Sequence, residues 1–170
     1  MRPYIAQGIG FIGMALVFLG FQQNDKRKIL WLFAAAGVAF SAHFFMLGAW
    51  TGMAMNLLEI PRNLIFARTS EKRKWFWTAA FIAALAVLGV FTWESLMSLF
   101  PLFAMCLSTI VFSLRKPRHI RFCSLPVSAL WMIYNVLSRS IAGAMTEAFC
   151  LLSIIVAIVR FDILKKESAK

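Results

Sequence analysis

The stretch Gly48–Arg68, GAWTGMAMNLLEIPRNLIFAR, sets the frame for the rest of the chain. It is long enough to cross a bilayer as a helix, which takes about 20 mostly apolar residues. A charged side chain at the bilayer centre costs about 2.5–3.5 kcal/mol on insertion scales, so such residues usually face a protein interior or a wet cavity. Asn56, Glu59 and Asn63 share one helical face. The stretch therefore predicts a membrane helix whose polar stripe is covered by other helices.

The composition of the whole chain indicates a membrane protein. Of its 170 residues 61% are hydrophobic, and the mean hydropathy is +0.78, whereas an ordinary soluble domain is about 45–50% apolar. The formal net charge of +11 would suit nucleic-acid binding. The basic residues, however, stand in short runs between apolar segments, which is the pattern of membrane orientation. We expect one polytopic domain over residues 1–170, in contact with the lipid bilayer and with no nucleic acid.

Hydropathy and charge together predict seven transmembrane helices. The spans are placed at about residues 4–21, 29–47, 50–67, 75–92, 95–114, 122–137 and 141–161. If the connections alternate between sides, fifteen Lys and Arg residues collect on one side and two on the other, and Arg62 is left inside a span. The positive-inside rule then places the C-terminus in the cytoplasm and the N-terminus outside.

A weak internal repeat divides these helices. The matched pairs are His43 with Asn135, Gly52 with Gly143, Asn56 with Glu147, and Arg68 with Arg160, at offsets of 92, 91, 91 and 92. Such an offset spans four helices, so both copies run the same way through the membrane. We predict a 3+1+3 arrangement: three-helix repeats at 4–67 and 95–161, a linker helix at 75–92 and a cytoplasmic tail at 162–170. Parallel repeats are one transporter plan, with the substrate site between them.

The third span holds the first group of candidate site residues. Glu59 and Arg62 are three residues apart and can pair on one helix. They fit a gate or coupling site that lines a cavity; equally, Arg62 can extend to the cytoplasmic interface and merely neutralise Glu59. Pro61 removes a backbone hydrogen bond, which either exposes carbonyls to a cavity or only shapes packing. Asn56 lies on the same polar stripe and is a candidate substrate ligand.

The last two spans hold the second group. Asn135 follows Trp131 by one turn, and an amide beside a large ring suits a polar, partly apolar ligand. The alternative is that Asn135 binds a neighbouring helix. Glu147 lies one turn into the seventh span, where it either lines the cavity or is exposed at the outer surface. His43 is flanked by apolar residues and serves either a structural hydrogen bond or a proton or substrate contact.

The sequence contains few residues or motifs that are typical of catalysis or metal binding. Cys106, Cys123 and Cys150 are odd in number, lie in apolar stretches and lack metal-ligand spacing. No hydrolase, metalloprotease or nucleotide-binding motif is present. Glu59 and Glu147 are predicted at different depths, which argues against a paired acid/base site. We therefore expect no enzyme activity, no metal and no cofactor.

Four short motifs carry a resemblance to a known family. AQGIGFIG at 6–13, HFFMLG at 43–48, WMIYN at 131–135 and SIAGAMTEAFCLL at 140–152, followed by Arg160, resemble the YgjV-type family of bacterial inner-membrane proteins. The resemblance covers residues 6–160 and implies an inner-membrane location more than an activity. The 3+1+3 plan is also distantly similar to the SWEET/PQ-loop (MtN3-like) superfamily. There asparagines on the third helix of each bundle line the pocket; Asn56 fits this pattern and Glu147 departs from it.

Two functions follow as expectations. The first is a small-solute transporter or permease with a central polar site between the repeats. Its predicted substrate-binding residues are Asn56, Glu59, Trp131, Asn135 and Glu147, and its gating or coupling residues are His43, Arg62 and Pro61. The second is a non-transporting receptor or scaffold that binds proteins or anionic lipid through its basic clusters. A homo-oligomer is compatible with both.

Overall fold

The computed structural model describes residues 2–21, 25–114, 117–159 and 163, and within them it is all-helical, with seven α-helices. The helices are α1 (Arg2–Phe21), α2 (Lys26–Leu47), α3 (Trp50–Arg68), α4 (Lys74–Phe91), α5 (Leu99–Val111), α6 (Pro117–Leu137) and α7 (Ile141–Ile158). Short 3-10 turns at Glu71–Arg73 and Leu96–Ser98 lead into α4 and α5. The seven predicted helices are confirmed. The predicted tail at 162–170 and Arg160 lie outside the described residues, apart from position 163.

Four helical segments are long and apolar enough to cross a membrane within the described parts of the chain. They are Arg27–Leu47, Glu71–Phe91, Arg118–Leu137 and Ile141–Ile158. Tyr4–Gly20 and Leu96–Val111 are shorter apolar helices. Helix α3 has 19 residues, but its Asn, Glu and Arg side chains make it the most polar of the seven. The seven-span topology and its orientation therefore stay predictions beyond these four segments.

Helix packing follows the order of the chain. Helix α2 packs along α1 and α3, and α6 packs along α5 and α7. The two groups meet where α1 contacts α7 and where α3 contacts α5, while α4 lies against α5 and α3. Many large apolar side chains, such as Phe76, Phe91 and Val156, are exposed on the outside. An apolar exterior of this extent suits the hydrocarbon of a bilayer, where a soluble protein would carry polar groups.

The same turn occurs twice, 91 residues apart. Gly48 after α2 and Arg139 after α6 have positive φ values of 73° and 55°. The next N–H groups, of Ala49 and Ser140, bond to the carbonyls of Phe44 and Asn135 at 3.0 and 2.8 Å. This is the Schellman helix ending, in which a left-handed residue turns the chain back on itself.

The starts of the helices keep this spacing. Helices α2 and α6 begin at Lys26 and Pro117, and α3 and α7 begin at Trp50 and Ile141, again 91 positions apart. In this register His43 corresponds to Tyr134, and Asn135 to Phe44, one residue away from the match predicted by sequence. The grouping of the helices into two three-helix repeats stays a prediction.

Candidate functional site

A cavity of about 180 Å³ lies among six of the seven helices. Its described lining comes from α1, α2, α3, α5, α6 and α7, and α4 contributes none of it. Six of the eight predicted site residues line this one space: Asn56, Glu59, Arg62, Trp131, Asn135 and Glu147. They arrive from α3, α6 and α7, and α3 is far from the other two in sequence. The structure thus brings the predicted substrate-binding residues together, although their role in binding stays a prediction.

The guanidinium of Arg62 is the most densely bonded group of the cavity wall. Its Nη2 lies 3.0 Å from Oε1 of Glu59, and its Nη1 donates to the hydroxyls of Ser108 and Thr109 at 2.8 and 3.0 Å. Asn63 accepts from Arg62 and donates to the same Glu59 oxygen at 3.1 Å. Such pairing is what a buried charge requires. The cluster joins α3 to α5.

Arg62 does not extend to the membrane interface, which was one of the two interpretations of the sequence. Its side chain is only 1% exposed, and its carbon Cζ lies 5.1 Å from the centre of the Phe112 ring. The guanidinium is held there because both partner hydroxyls stand on α5, which packs against α3. Arg62 does neutralise Glu59, as the same interpretation expected, but from inside the protein.

Asn135 lines the cavity and carries an unsatisfied acceptor, its Oδ1, which is buried against Gly143 of α7. Its amide nitrogen donates to the carbonyl of Trp131 at 2.8 Å, one turn earlier on α6. Its Oδ1 is the one buried side-chain nitrogen or oxygen without a hydrogen-bond partner in the described part of the chain. A buried polar atom without a partner is uncommon and costly, and it often marks a binding or catalytic position or an unseen partner. The alternative, that Asn135 bonds to a neighbouring helix, is not what the structure shows.

Asn56 and Glu147 face the same space from α3 and α7. The amide nitrogen of Asn56 donates to the carbonyl of Gly52 at 2.9 Å, so it is held along its own helix as Asn135 is. Ser128 of α6 is a side-chain hydrogen-bond partner of the Glu147 carboxyl. Glu147 is partly buried and lines the cavity, and is not exposed at an outer surface. Glu59 and Glu147 also line one cavity, so the expected difference in depth does not separate them.

Trp131 forms an aromatic wall with two phenylalanines of α2. Its ring stacks on Phe44, with centroids 6.2 Å apart and planes inclined by 23°. Phe44 in turn contacts Phe40 at 6.4 Å, and both phenylalanines also line the cavity. The wall therefore bridges α2 and α6.

His43 lies outside the cavity lining and joins three helices. Its Nδ1 bonds to the carbonyl oxygen of Ala6 in α1 at 2.7 Å, and because a carbonyl only accepts, this nitrogen carries the proton. Its Nε2 lies 2.7 Å from the hydroxyl of Ser140, which caps α7 by accepting from the N–H of Gly143. Of the two interpretations, the structure shows the hydrogen-bonded structural one.

Tyr134, the counterpart of His43 in the 91-residue register, makes the reciprocal contact. Its hydroxyl accepts from the N–H of Gly52 in the first turn of α3 at 2.8 Å. Ala49 precedes α3 and has no side chain that can cap it, so Tyr134 takes the part that Ser140 plays for α7. Each half of the chain thus reaches into the start of a helix in the other half.

Pro61, like His43, is a predicted site residue that lies outside the cavity lining. It is exposed on α3 and does not line the cavity, because it points to the face opposite the polar stripe. Sequence reasoning also missed Ser108 and Ser128, which line the cavity, and Thr109, which bonds to Arg62 behind it. Only their spacing on apolar helices hinted at them, and small hydroxyl residues are common on any face of a membrane helix. No group of three or more His, Cys, Asp or Glu able to hold a metal occurs among the described residues.

These features define a class of protein: a helical bundle with an apolar exterior, helices long enough to span a bilayer, and a cavity between the helices that is lined by apolar and polar side chains. The comparison with known families makes this specific, since a family model described as a bacterial inner membrane protein, Imp-YgjV, matches residues 4–165. The chain belongs to this family of bacterial inner-membrane proteins.

One curated relative is similar over most of the chain. The chain is 28% identical to "Inner membrane protein YgjV" of Escherichia coli (strain K12) over 158 residues, which are 93% of this chain and 85% of the relative. No solved structure matches the chain with significance. The predicted family and inner-membrane location are therefore confirmed, while the similarity to the SWEET/PQ-loop superfamily stays a hypothesis.

Proposed function

We propose that this protein is a small-solute transporter or permease of the bacterial inner membrane, with its substrate site in the central cavity. The observation that carries the proposal is the cavity itself: helices from both halves of the chain line it, and its lining includes Asn135, whose side-chain oxygen is buried without a partner beside Gly143. A substrate that donates a hydrogen bond to this oxygen would remove the cost of leaving it unpaired. Asn56, Glu59, Trp131 and Glu147 complete the proposed site.

The proposed mechanism is alternating access between two three-helix repeats, residues 4–67 and 95–161, with residues 75–92 as the linker helix. The reciprocal bonds of His43 to Ser140 and of Tyr134 to Gly52 tie the two halves together beside the turns at Gly48 and Arg139. We assign them to a gate, because this end of the cavity opens only if they separate. Arg62 with Ser108 and Thr109 ties the halves on the other side of Asn56.

The proposed orientation rests on charge. The basic runs of residues 26–28, 68–74 and 115–121 fall on one side if the helices alternate. By the positive-inside rule this side is cytoplasmic, so the C-terminus is inside and the N-terminus outside. The gate at Gly48 and Arg139 then faces outward. We propose no catalytic role, because this arrangement of side chains suits binding.

A specific observation favours the second candidate, a non-transporting receptor or scaffold. Glu59, Arg62 and Asn63 bond to one another and to α5, as expected of a bundle that does not open. The basic run at residues 115–121 would then bind anionic lipid headgroups. The cavity and the unpaired Asn135 oxygen favour the transporter over this candidate.

A thermal-stability screen of the purified protein in detergent against a broad panel of metabolites tests the proposal. A ligand that binds only the folded form stabilises it by about 2.7 kcal/mol at 100 times its dissociation constant. We expect a stabilising hit that disappears in Asn135→Ala and in Glu59→Gln. It should persist in Glu94→Gln, because Glu94 lies outside the cavity and the amide oxygen of glutamine can keep the bonds that Glu94 accepts from Thr51.

Exchange of the hit across proteoliposomes then separates the two candidates. The transporter predicts that labelled solute enters vesicles preloaded with the same unlabelled solute, and that the two cavity variants do not support this entry. A well-folded protein that gives no hit, or a hit that binds and is not exchanged, contradicts transport and supports the receptor or scaffold.

A further inference from the structure

The side-chain hydrogen-bond donors of the described cavity lining are already engaged within the protein, apart from the indole of Trp131 and the weakly donating thiol of Cys150. Both asparagine amides donate to carbonyls on their own helices, and Thr146 donates to the carbonyl of Ala142 at 2.8 Å. Ser108 donates to the carbonyl of Met105, and the guanidinium of Arg62 is bonded to five side-chain atoms on residues of α3 and α5. A ligand in this space therefore finds few groups that can donate to it.

The groups that stay open are acceptors. Oδ1 of Asn135 has no partner and lies against Gly143, from which a small rotation of the side chain would release it; the Glu147 carboxyl, a hydrogen-bond partner of Ser128, keeps further lone pairs. Both bonds to Glu59 fall on Oε1, which leaves its second oxygen as an acceptor. A ligand that matches this set must bring N–H or O–H donors.

The lining holds one acidic group that has no cation beside it in the described part of the chain. Glu59 is paired with Arg62 at 3.0 Å, so these two charges cancel. Glu147 has no ion-pair partner in the described part of the chain, and no second cation lines the cavity there. An ionised Glu147 would thus leave the cavity with a net negative charge, which attracts a cation and opposes an anion.

Shape and aromatic faces narrow the class further. The wall of Phe40, Phe44 and Trp131 offers ring faces of the kind that attract ammonium and guanidinium groups. The volume of about 180 Å³ is near that of the roughly 150 Å³ cavities that hold benzene. A ligand of about the size of a substituted six-membered ring fits.

We propose that the cavity selects a small organic cation carrying N–H donors, such as a primary ammonium, with Glu147 as the charge partner, Asn135 Oδ1 as an acceptor and the aromatic wall against its apolar part. This rests on the proposed function, because it names the substrate class of the same site. Carboxylates are disfavoured, since the lining offers them few donors and a charge of the wrong sign. Neutral polyols can donate to the open acceptors but gain no attraction from the charge of Glu147.

Calorimetric titration of the purified protein with three matched probes tests the proposal: cyclohexylammonium, cyclohexanol and cyclohexanecarboxylate. The three share one ring and differ in charge, and titration into empty micelles corrects for partition into detergent. We expect cyclohexylammonium to bind most tightly. Glu147→Gln should weaken it by about tenfold or more, because a charge-assisted bond is lost. Glu94→Gln, the control outside the cavity, should leave it unchanged.

Three results would overturn the proposal: equal or tighter binding of cyclohexanol or cyclohexanecarboxylate, no binding of cyclohexylammonium, or an unchanged preference in folded Glu147→Gln. If that variant does not fold, the ranking of the probes on the unaltered protein decides. Failure of the proposed function looks different. A cation that binds but does not exchange across proteoliposomes contradicts transport and leaves the cation class standing. Exchange of a neutral or anionic solute supports transport and contradicts the cation class.

Discussion

At the scale of single residues, Arg62 is the buried polar group whose removal from water costs the most free energy. Removing a guanidinium from water costs several kcal/mol, and only close partners in good geometry offset this. Glu59, Asn63, Ser108 and Thr109 supply them. The presence of a charged pair in α3 was readable from the sequence. Its partners on α5 were not, because they depend on how α5 is rotated toward α3, which hydropathy does not record.

Replacing Arg62 by Met should destabilise the protein by about 3–5 kcal/mol, because Glu59 is then left in the cavity wall without its cation. Denaturation in mixed micelles measures this. The matched control is Arg68→Met at the end of α3, where the arginine is exposed and lies over the Trp31 ring; we expect a loss of less than about 1 kcal/mol there. Similar losses in the two variants would mean that Arg62 is not held as described.

Arg139 gives a second prediction at this scale. It is the one non-glycine residue with positive φ in the described part of the chain, and its counterpart in the first turn is Gly48. A left-handed conformation costs a side chain about 1–2 kcal/mol, so Arg139→Gly should raise stability by about 1 kcal/mol. Gly48→Ala should lower it by a similar amount. Thermal unfolding of both in one detergent checks the pair, and a destabilised Arg139→Gly would contradict the assigned turn.

At the scale of helices, two tight helical hairpins, α2–α3 and α6–α7, place the site. Gly52 lies against Phe44 and Tyr134, and Gly143 lies against Asn135. The bounds of these helices follow largely from hydropathy and from the Gly48 turn. Tyr134 as the partner of Gly52 was beyond the sequence, because it compensates for a missing cap at Ala49. The repeat offset did predict that Glu147 and Asn56 occupy related places.

Gly143→Ala should damage the site directly, because Gly143 lies closest to Asn135. A Cβ there would lie 1.9 Å from Oδ1 of Asn135, so the amide has to leave its place in the cavity wall. We expect a lower melting temperature and loss of the ligand found in the stability screen. Gly8→Ala is the control, since nothing lies within 4 Å of its Cβ position. Ligand binding that survives in Gly143→Ala would exclude Asn135 from the site.

At the scale of the whole molecule, six helices surround a cavity that is lined by apolar and polar side chains, inside an apolar exterior. Composition and the spacing of basic residues were enough to predict a polytopic helical protein, because a bilayer constrains both. The packing of the two groups of helices was not predictable in detail. It depends on contacts such as His43 with Ser140. The sequence around an isolated polar residue on an apolar helix does not indicate which residue it will contact.

The central claim, that one cavity between the two halves opens to both sides of the membrane, is tested most directly at Cys150. This thiol is buried and lines the cavity, and Cys106→Ser with Cys123→Ser removes the other two cysteines. The measurement is the rate at which a membrane-impermeant cationic methanethiosulfonate modifies Cys150 in sealed vesicles, applied from one side and then from the other. Full modification after denaturation is the control.

The account predicts modification from both sides, slowed by the solute that the stability screen identifies. Cys150 that reacts from one side alone, or from neither while it reacts fully after denaturation, would contradict alternating access.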